Sequence, residues 1–88
     1  MTHIIFTSID TIYHPHYQAP NIYKKLYDKL EMLKRKKSIT LIYVEDKIPK
    51  LANSIVISMN ENIYKHGYPH YQVDHPGDTY FLLSRLYP

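Results

Sequence analysis

The sequence predicts a small single-domain α/β protein, spanning residues 1–88, with a three-stranded parallel sheet of order 2-1-3. Two observations support this fold class: the strand-like segment 38–44 is apolar on both faces, and a strand-loop-helix pattern occurs twice. Strands buried on both faces are typical of parallel sheets covered by helices. The alternative is an α+β ferredoxin-like arrangement, which would need a fourth strand.

The first β-loop-α unit begins with the apolar run 3–8, HIIFTS, whose β-branched and aromatic residues favour a strand. Pro15 and Pro20 then keep residues 9–20 out of regular structure. Asn21 is the expected N-cap of a helix that continues to residue 37. Apolar residues recur there at helical spacing: Ile22, Leu26, Leu30 and Leu33.

The rest of the chain supplies the other predicted elements. The second strand is 38–44, and the third is 54–59, SIVISM. Residues 60–77 contain proline and glycine and are expected to form a second long loop. The closing segment is apolar nearly all round, which favours a buried helix with Asp78 as its N-cap.

The tetrapeptide Pro-His-Tyr-Gln occurs at 15–18 and again at 69–72. The match extends to the flanking elements, where Ile4 aligns with Ile55, Pro20 with Pro76 and Asn21 with Asp78. The two copies therefore predict two related β-loop-α units. In a sheet of order 2-1-3, strands 1 and 3 are neighbours, so both loops would leave the carboxyl edge where α/β proteins place ligands.

Composition excludes several classes of protein. The chain has no cysteine, so disulfides and thiol chemistry are ruled out, and its two glycines form no phosphate-binding loop, so no cofactor is expected. No stretch reads as a signal peptide or a membrane span, which predicts a cytoplasmic protein without a membrane partner. Amino acids with AT-rich codons are abundant in the sequence. This composition favours a phage or viral origin, and a viral protein of this kind would act inside the host cell.

The leading hypothesis is a small accessory or inhibitor protein that contacts a host protein or nucleic acid through its Tyr/His loops and a basic helix. Segment 21–37 carries seven Lys or Arg against two acids. The expected binding residues are Tyr13, His14, Tyr17, Gln18, Tyr64, His66, Tyr68, Tyr71, Gln72, Lys25, Lys29 and Lys36.

Three alternatives stay open. A phosphodiesterase or RNase would use His16 and His70 as general acid and base. A sensor or scavenger of a small nucleotide would use the paired loops. The aromatic and basic surface would also serve as a homodimer interface. No metal site is expected, because the histidine spacings match no strong ligand signature.

Overall fold

A computed structural model describes residues 2–36, 39–43, 48–59 and 67–88. In chain order, the strands are β1 (Thr2–Phe6), β2 (Ile39–Tyr43), β3 (Ser54–Ser58) and β4 (His70–Gln72). The helices are α1 (Pro20–Arg35) and α2 (Pro76–Leu86), and a short 3-10 turn spans Ile9–Thr11. Among the described segments, neither helix combines the length and apolarity that a membrane crossing requires.

The strands form one sheet of order β2-β1-β3-β4, and all three pairings are parallel. This confirms the α/β class and the predicted 2-1-3 order of the first three strands. The predicted number of strands was wrong, because β4 adds a fourth strand beside β3. The ferredoxin-like alternative was also wrong: a split β-α-β unit leaves room for a strand between its two strands, whereas β1 and β2 pair directly.

Strand β4 lies within the segment that the sequence predicts to be a loop. It has only three residues, and the proline before it has no N–H to donate to a sheet. The carbonyl of Pro69 nevertheless accepts a hydrogen bond from the Val56 N–H at 2.9 Å, and the Val73 N–H donates to the Ser58 carbonyl at 2.8 Å. Residues 70–72 therefore form a strand because they pair with β3.

Both helices begin at a proline. Helix α1 has Pro20 at its first position and Ala19 as N-cap, and α2 has Pro76 at its first position and His75 as N-cap. Proline is favoured there because the first helical N–H has no intrahelical partner. The predicted N-caps, Asn21 and Asp78, were wrong, since both residues lie inside the first turn.

The main core lies between the sheet and the two helices. Its fully buried side chains include Ile4 and Phe6 of β1 and Ile57 of β3, together with Leu26 of α1 and Leu83 of α2. The inward residues of the strands and the apolar stripes of both helices therefore meet on one face of the sheet. Complete burial of a side chain of this size stabilises the fold by about 1.5–3 kcal/mol.

The opposite face of the sheet is covered by connecting segments. Ile5 and Val56 are fully buried there and pack with Ile48 and Tyr68. The Tyr68 hydroxyl accepts a hydrogen bond from the Leu51 N–H at 2.6 Å and donates to the Pro49 carbonyl at 3.2 Å. The connections before β3 and before β4 are thus joined to each other over this face.

Candidate functional site

The first loop, residues 7–19, leaves the carboxyl end of β1 and is held by α1. The Tyr23 hydroxyl donates a hydrogen bond to the His14 carbonyl at 2.8 Å and accepts one from the His14 N–H at 3.1 Å. The Tyr27 hydroxyl donates to the Ile12 carbonyl at 3.2 Å. One turn of α1 separates these two tyrosines, so the helix fixes the loop at two neighbouring points.

The same loop is also joined to α2. The Thr79 hydroxyl donates to the Thr11 carbonyl at 2.5 Å, and both threonines are fully buried. The Tyr17 ring stacks on His75, the N-cap of α2, with centroids 4.5 Å apart and an interplanar angle of 14°. A Cβ atom at Gly77 would overlap the Tyr17 hydroxyl, so this close approach requires glycine.

Five rings form a continuous aromatic cluster across these contacts: Tyr13, Tyr17, Tyr23, Tyr27 and His75. Tyr23 is central, because its ring lies 5.9 Å from Tyr13, 5.8 Å from Tyr17 and 6.0 Å from Tyr27. Burial raises the pKa of Tyr27, and the nearby phenols of Tyr23 and Tyr13 raise it further. The Tyr27 phenol therefore remains neutral at physiological pH and serves as a hydrogen-bond donor and packing surface.

A shallow depression beside the cluster brings together His14, His16, Tyr17, Asp74 and His75. The His16 N–H donates to His14 Nδ1 at 3.1 Å. Across the depression, Asp78 Oδ2 accepts from the Asp74 N–H at 3.1 Å, and its Oδ1 lies 3.7 Å from His75 Nε2. The described residues that line the depression are histidine, tyrosine and aspartate, so none of them is a lysine or arginine that would attract an anion.

The exposed residues of the first loop include two large hydrophobic side chains, beside the polar His16 and Gln18. Ile9 is 58% exposed and Tyr13 is 51% exposed, and the Tyr13 N–H donates to the Ile9 carbonyl at 2.8 Å, which places the two in one turn. Tyr27 is also exposed and contacts the loop through its hydroxyl. These three residues, Ile9, Tyr13 and Tyr27, are called the first-loop patch.

The second Pro-His-Tyr-Gln segment does not form a matching loop. His70 and Gln72 pair with Val56 and Ser58 of β3, so this copy is a strand. Tyr71 packs against the helix-side core, and because side chains alternate along a strand, His70 and Gln72 face the other side. The second Pro-His-Tyr-Gln copy is therefore not a loop, although Asp74 and His75, at the end of the same predicted loop, line the depression beside His14 and His16.

His16 and His70 have different surroundings. His70 Nε2 lies 2.6 Å from the buried hydroxyl of Ser58, and His70 lines a groove at the open edge of β4. His16 lies beside His14 and Asp74. His70 therefore contacts β3, whereas His16 lies in the first loop beside the depression.

The other predicted site residues divide into packing and surface positions. Tyr68 packs on the face of the sheet opposite α1 and α2, whereas Gln18 and Gln72 are exposed. Lys25 and Lys36 are exposed on α1, but the Lys29 amino group donates to the Tyr87 carbonyl and so joins α1 to the end of the chain. Tyr64 and His66 lie outside the described residues.

Sequence reasoning missed Tyr23, Tyr27 and Ile9 as parts of this site. Tyr23 and Tyr27 lie four residues apart in the first half of α1, and this spacing places both on the side of the helix that faces the preceding loop. His75 directly precedes a proline that begins a helix, which is a pattern typical of an N-cap position.

Within the part of the chain that the structure describes, no three His, Asp or Glu side chains are grouped so that they could hold a metal ion. Searches of protein families, characterised proteins and solved structures gave no match to this chain.

Proposed function

We propose that this protein is a binding module that docks a protein partner on the first-loop patch. One observation carries the proposal: α1 and α2 hold the loop rigidly by its backbone, while Ile9 and Tyr13 remain more than half exposed. The Tyr17 ring is already stacked on His75, whereas the exposed surfaces of Ile9 and Tyr13 are left for a ligand. A host protein bound by a phage or viral accessory protein is the partner that the composition favours.

A rigid aromatic surface lowers the entropic cost of binding. The backbone of His14 is hydrogen-bonded at both its N–H and its carbonyl, and so little loop motion is lost on docking. Tyrosine also offers a large contact area with few rotatable bonds. Exposed aromatic side chains of this kind are frequent hot spots, where truncation to alanine costs at least about 2 kcal/mol.

Nucleic acid is the second candidate, and the exposed lysines of α1 favour it. Lys25 and Lys36 are accessible to phosphates, and α1 carries further basic residues near its carboxyl end. Lys34 and Arg35 follow Tyr27, the patch residue on α1, by seven and eight residues, which places them about 10 Å further along the helix. The patch itself includes no cation, which is why a protein partner is preferred.

Two other hypotheses have less support. The phosphodiesterase hypothesis needs His16 and His70 to act on one substrate, whereas His70 contacts Ser58 of β3 and His16 contacts His14 of the first loop. The nucleotide-sensor hypothesis needs paired Pro-His-Tyr-Gln loops, and the second copy forms the strand β4.

The proposal is tested by capture followed by titration. Three immobilised proteins are exposed to a lysate of the source cell: the wild type, the double variant Ile9→Ser/Tyr13→Ala and the control Met32→Ser. Free wild-type protein is added as a competitor. Met32 is an exposed apolar residue of α1 outside the patch. The captured partner is then purified and titrated calorimetrically, and we expect the double variant to weaken binding at least about tenfold while the control binds normally.

Two results would contradict docking of a protein on the patch. Equal affinity of the double variant and the wild type would remove the patch from the interface. Capture that disappears after nuclease treatment, with an affinity that falls steeply as salt rises, would replace the protein partner by nucleic acid.

A further inference from the structure

The open edge of the sheet carries a second surface, away from the first-loop patch. Strand β4 is the last strand in the order β2-β1-β3-β4, so one of its sides has no strand neighbour in the described sheet. The backbone of Tyr71 faces β3, because the flanking Pro69 carbonyl and Val73 N–H both bond to β3. The N–H and carbonyl of Gln72 therefore face the open edge.

Helix α2 runs beside this edge and presents one exposed face to it. Asp78, Phe81 and Arg85 follow the spacing i, i+3, i+7, which places them on the same side of the helix. Phe81 is 57% exposed although it is a large apolar residue. The three side chains and β4 line one groove, together with Leu82.

The charges on this face are arranged symmetrically about Phe81. Asp78 lies three residues before it and Arg85 four residues after it, a total separation of about 10.5 Å along the helix axis. When such a helix packs antiparallel against a copy of itself, a two-fold axis near Phe81 brings each carboxylate opposite a guanidinium. The phenylalanine then packs on its own counterpart at the centre.

We propose that a second copy of this chain docks on this surface and forms a two-fold symmetric dimer. Asp78 faces the partner subunit's Arg85, and Arg85 faces the partner subunit's Asp78. The same axis brings the two β4 edges together in antiparallel orientation, which covers the backbone of Gln72 and removes an exposed sheet edge. An unrelated extended peptide would satisfy the strand edge but would leave the symmetric charges without an explanation.

The first test is the mass of the full chain in solution. Sedimentation equilibrium is expected to give a dimer for the wild type and for Tyr13→Ala, whose substitution lies in the first-loop patch. Phe81→Asp is expected to raise the dissociation constant at least about tenfold, because it places two carboxylates at the centre of the interface. The variant is expected to stay folded because Phe81 is exposed, and circular dichroism checks this.

The second test exchanges the charges. Asp78→Lys and Arg85→Asp each place like charges opposite one another and weaken their own dimers, whereas a mixture of the two variants restores both ion pairs in a heterodimer. Asp78 also accepts the Asp74 N–H, so the melting temperature of that variant is recorded, and Arg85→Asp alone still tests the pair if Asp78→Lys does not fold.

Three outcomes overturn the proposal. The first is a wild-type chain that remains monomeric at about 1 mM. The second is a dimer that Phe81→Asp leaves unchanged, which would place the interface elsewhere. The third is a dimer that Arg85→Asp does not weaken, or a mixture of charge variants that associates no more tightly than either variant alone.

Discussion

Residues 15–18 and 69–72 have the same sequence and lie in different structures. In the first segment, Pro15 and His16 form a turn, and Tyr17 stacks on His75 at the start of α2. In the second segment, His70–Gln72 form a strand, and Tyr71 packs into the helix-side core. The intrinsic conformational preference of four residues is too weak to determine their secondary structure. The second segment is a strand because it pairs with β3.

The comparison is tested most strongly by truncating the equivalent tyrosines. Tyr71→Ala is expected to lower the free energy of unfolding by about 2–3 kcal/mol, because a half-buried ring is removed from the core. Tyr17→Ala is expected to cost about 1 kcal/mol, since it loses ring stacking near the surface. Urea unfolding measures both values. Equal costs would mean that the two segments contribute alike, contrary to the structure.

The contact between Tyr17 and Gly77 gives the next largest effect. Gly77→Ala is expected to destabilise the fold by about 1–2 kcal/mol, because the new methyl group overlaps the Tyr17 hydroxyl. In a Tyr17→Phe background, the same substitution is expected to cost about 1 kcal/mol less. A double-mutant cycle of thermal unfolding checks this coupling. Strictly additive costs would show that the ring does not lie over Gly77.

The smallest difference concerns the two histidines. His70→Ala is expected to cost about 1 kcal/mol, because it leaves the buried Ser58 hydroxyl without this partner. His16→Ala, at an exposed turn, is expected to change stability by less than about 0.5 kcal/mol. Both free energies come from urea titrations at neutral pH. A larger loss for His16 than for His70 would reverse the assignment of surface and structural roles.

The order of the first three strands was predictable because it depends on periodic features of the sequence. The helix pattern between two apolar segments required a crossover, and the alignment of Ile4 with Ile55 holds in the structure, where these residues are register partners in β1 and β3. Pro20 and Pro76 also occupy equivalent positions at the first turns of α1 and α2. These features are local or repeat at fixed spacing, so the sequence reveals them.

Neither strand β4 nor the distinction between buried and exposed tyrosines was predictable in the same way. Tyr71 is the one residue of β4 that faces the helix-side core, and a three-residue strand has no visible alternation. Tyrosine is amphipathic, so its presence in a loop does not tell whether its ring packs inward, as in Tyr68, or outward, as in Tyr13. Only tertiary contacts separate these cases.

The Tyr68 hydroxyl bonds have a consequence for how the molecule opens. Through this one phenol, residues 49–51 are joined to the residues directly before β4, and Tyr68 and Ile48 pack together over Ile5 and Val56. Neither of these segments can move away from the sheet without breaking the hydrogen bonds of the Tyr68 hydroxyl and exposing Ile5 and Val56 to water. The face of the sheet without α1 and α2 therefore behaves as one cooperative unit, whose local unfolding exposes its whole small core at once.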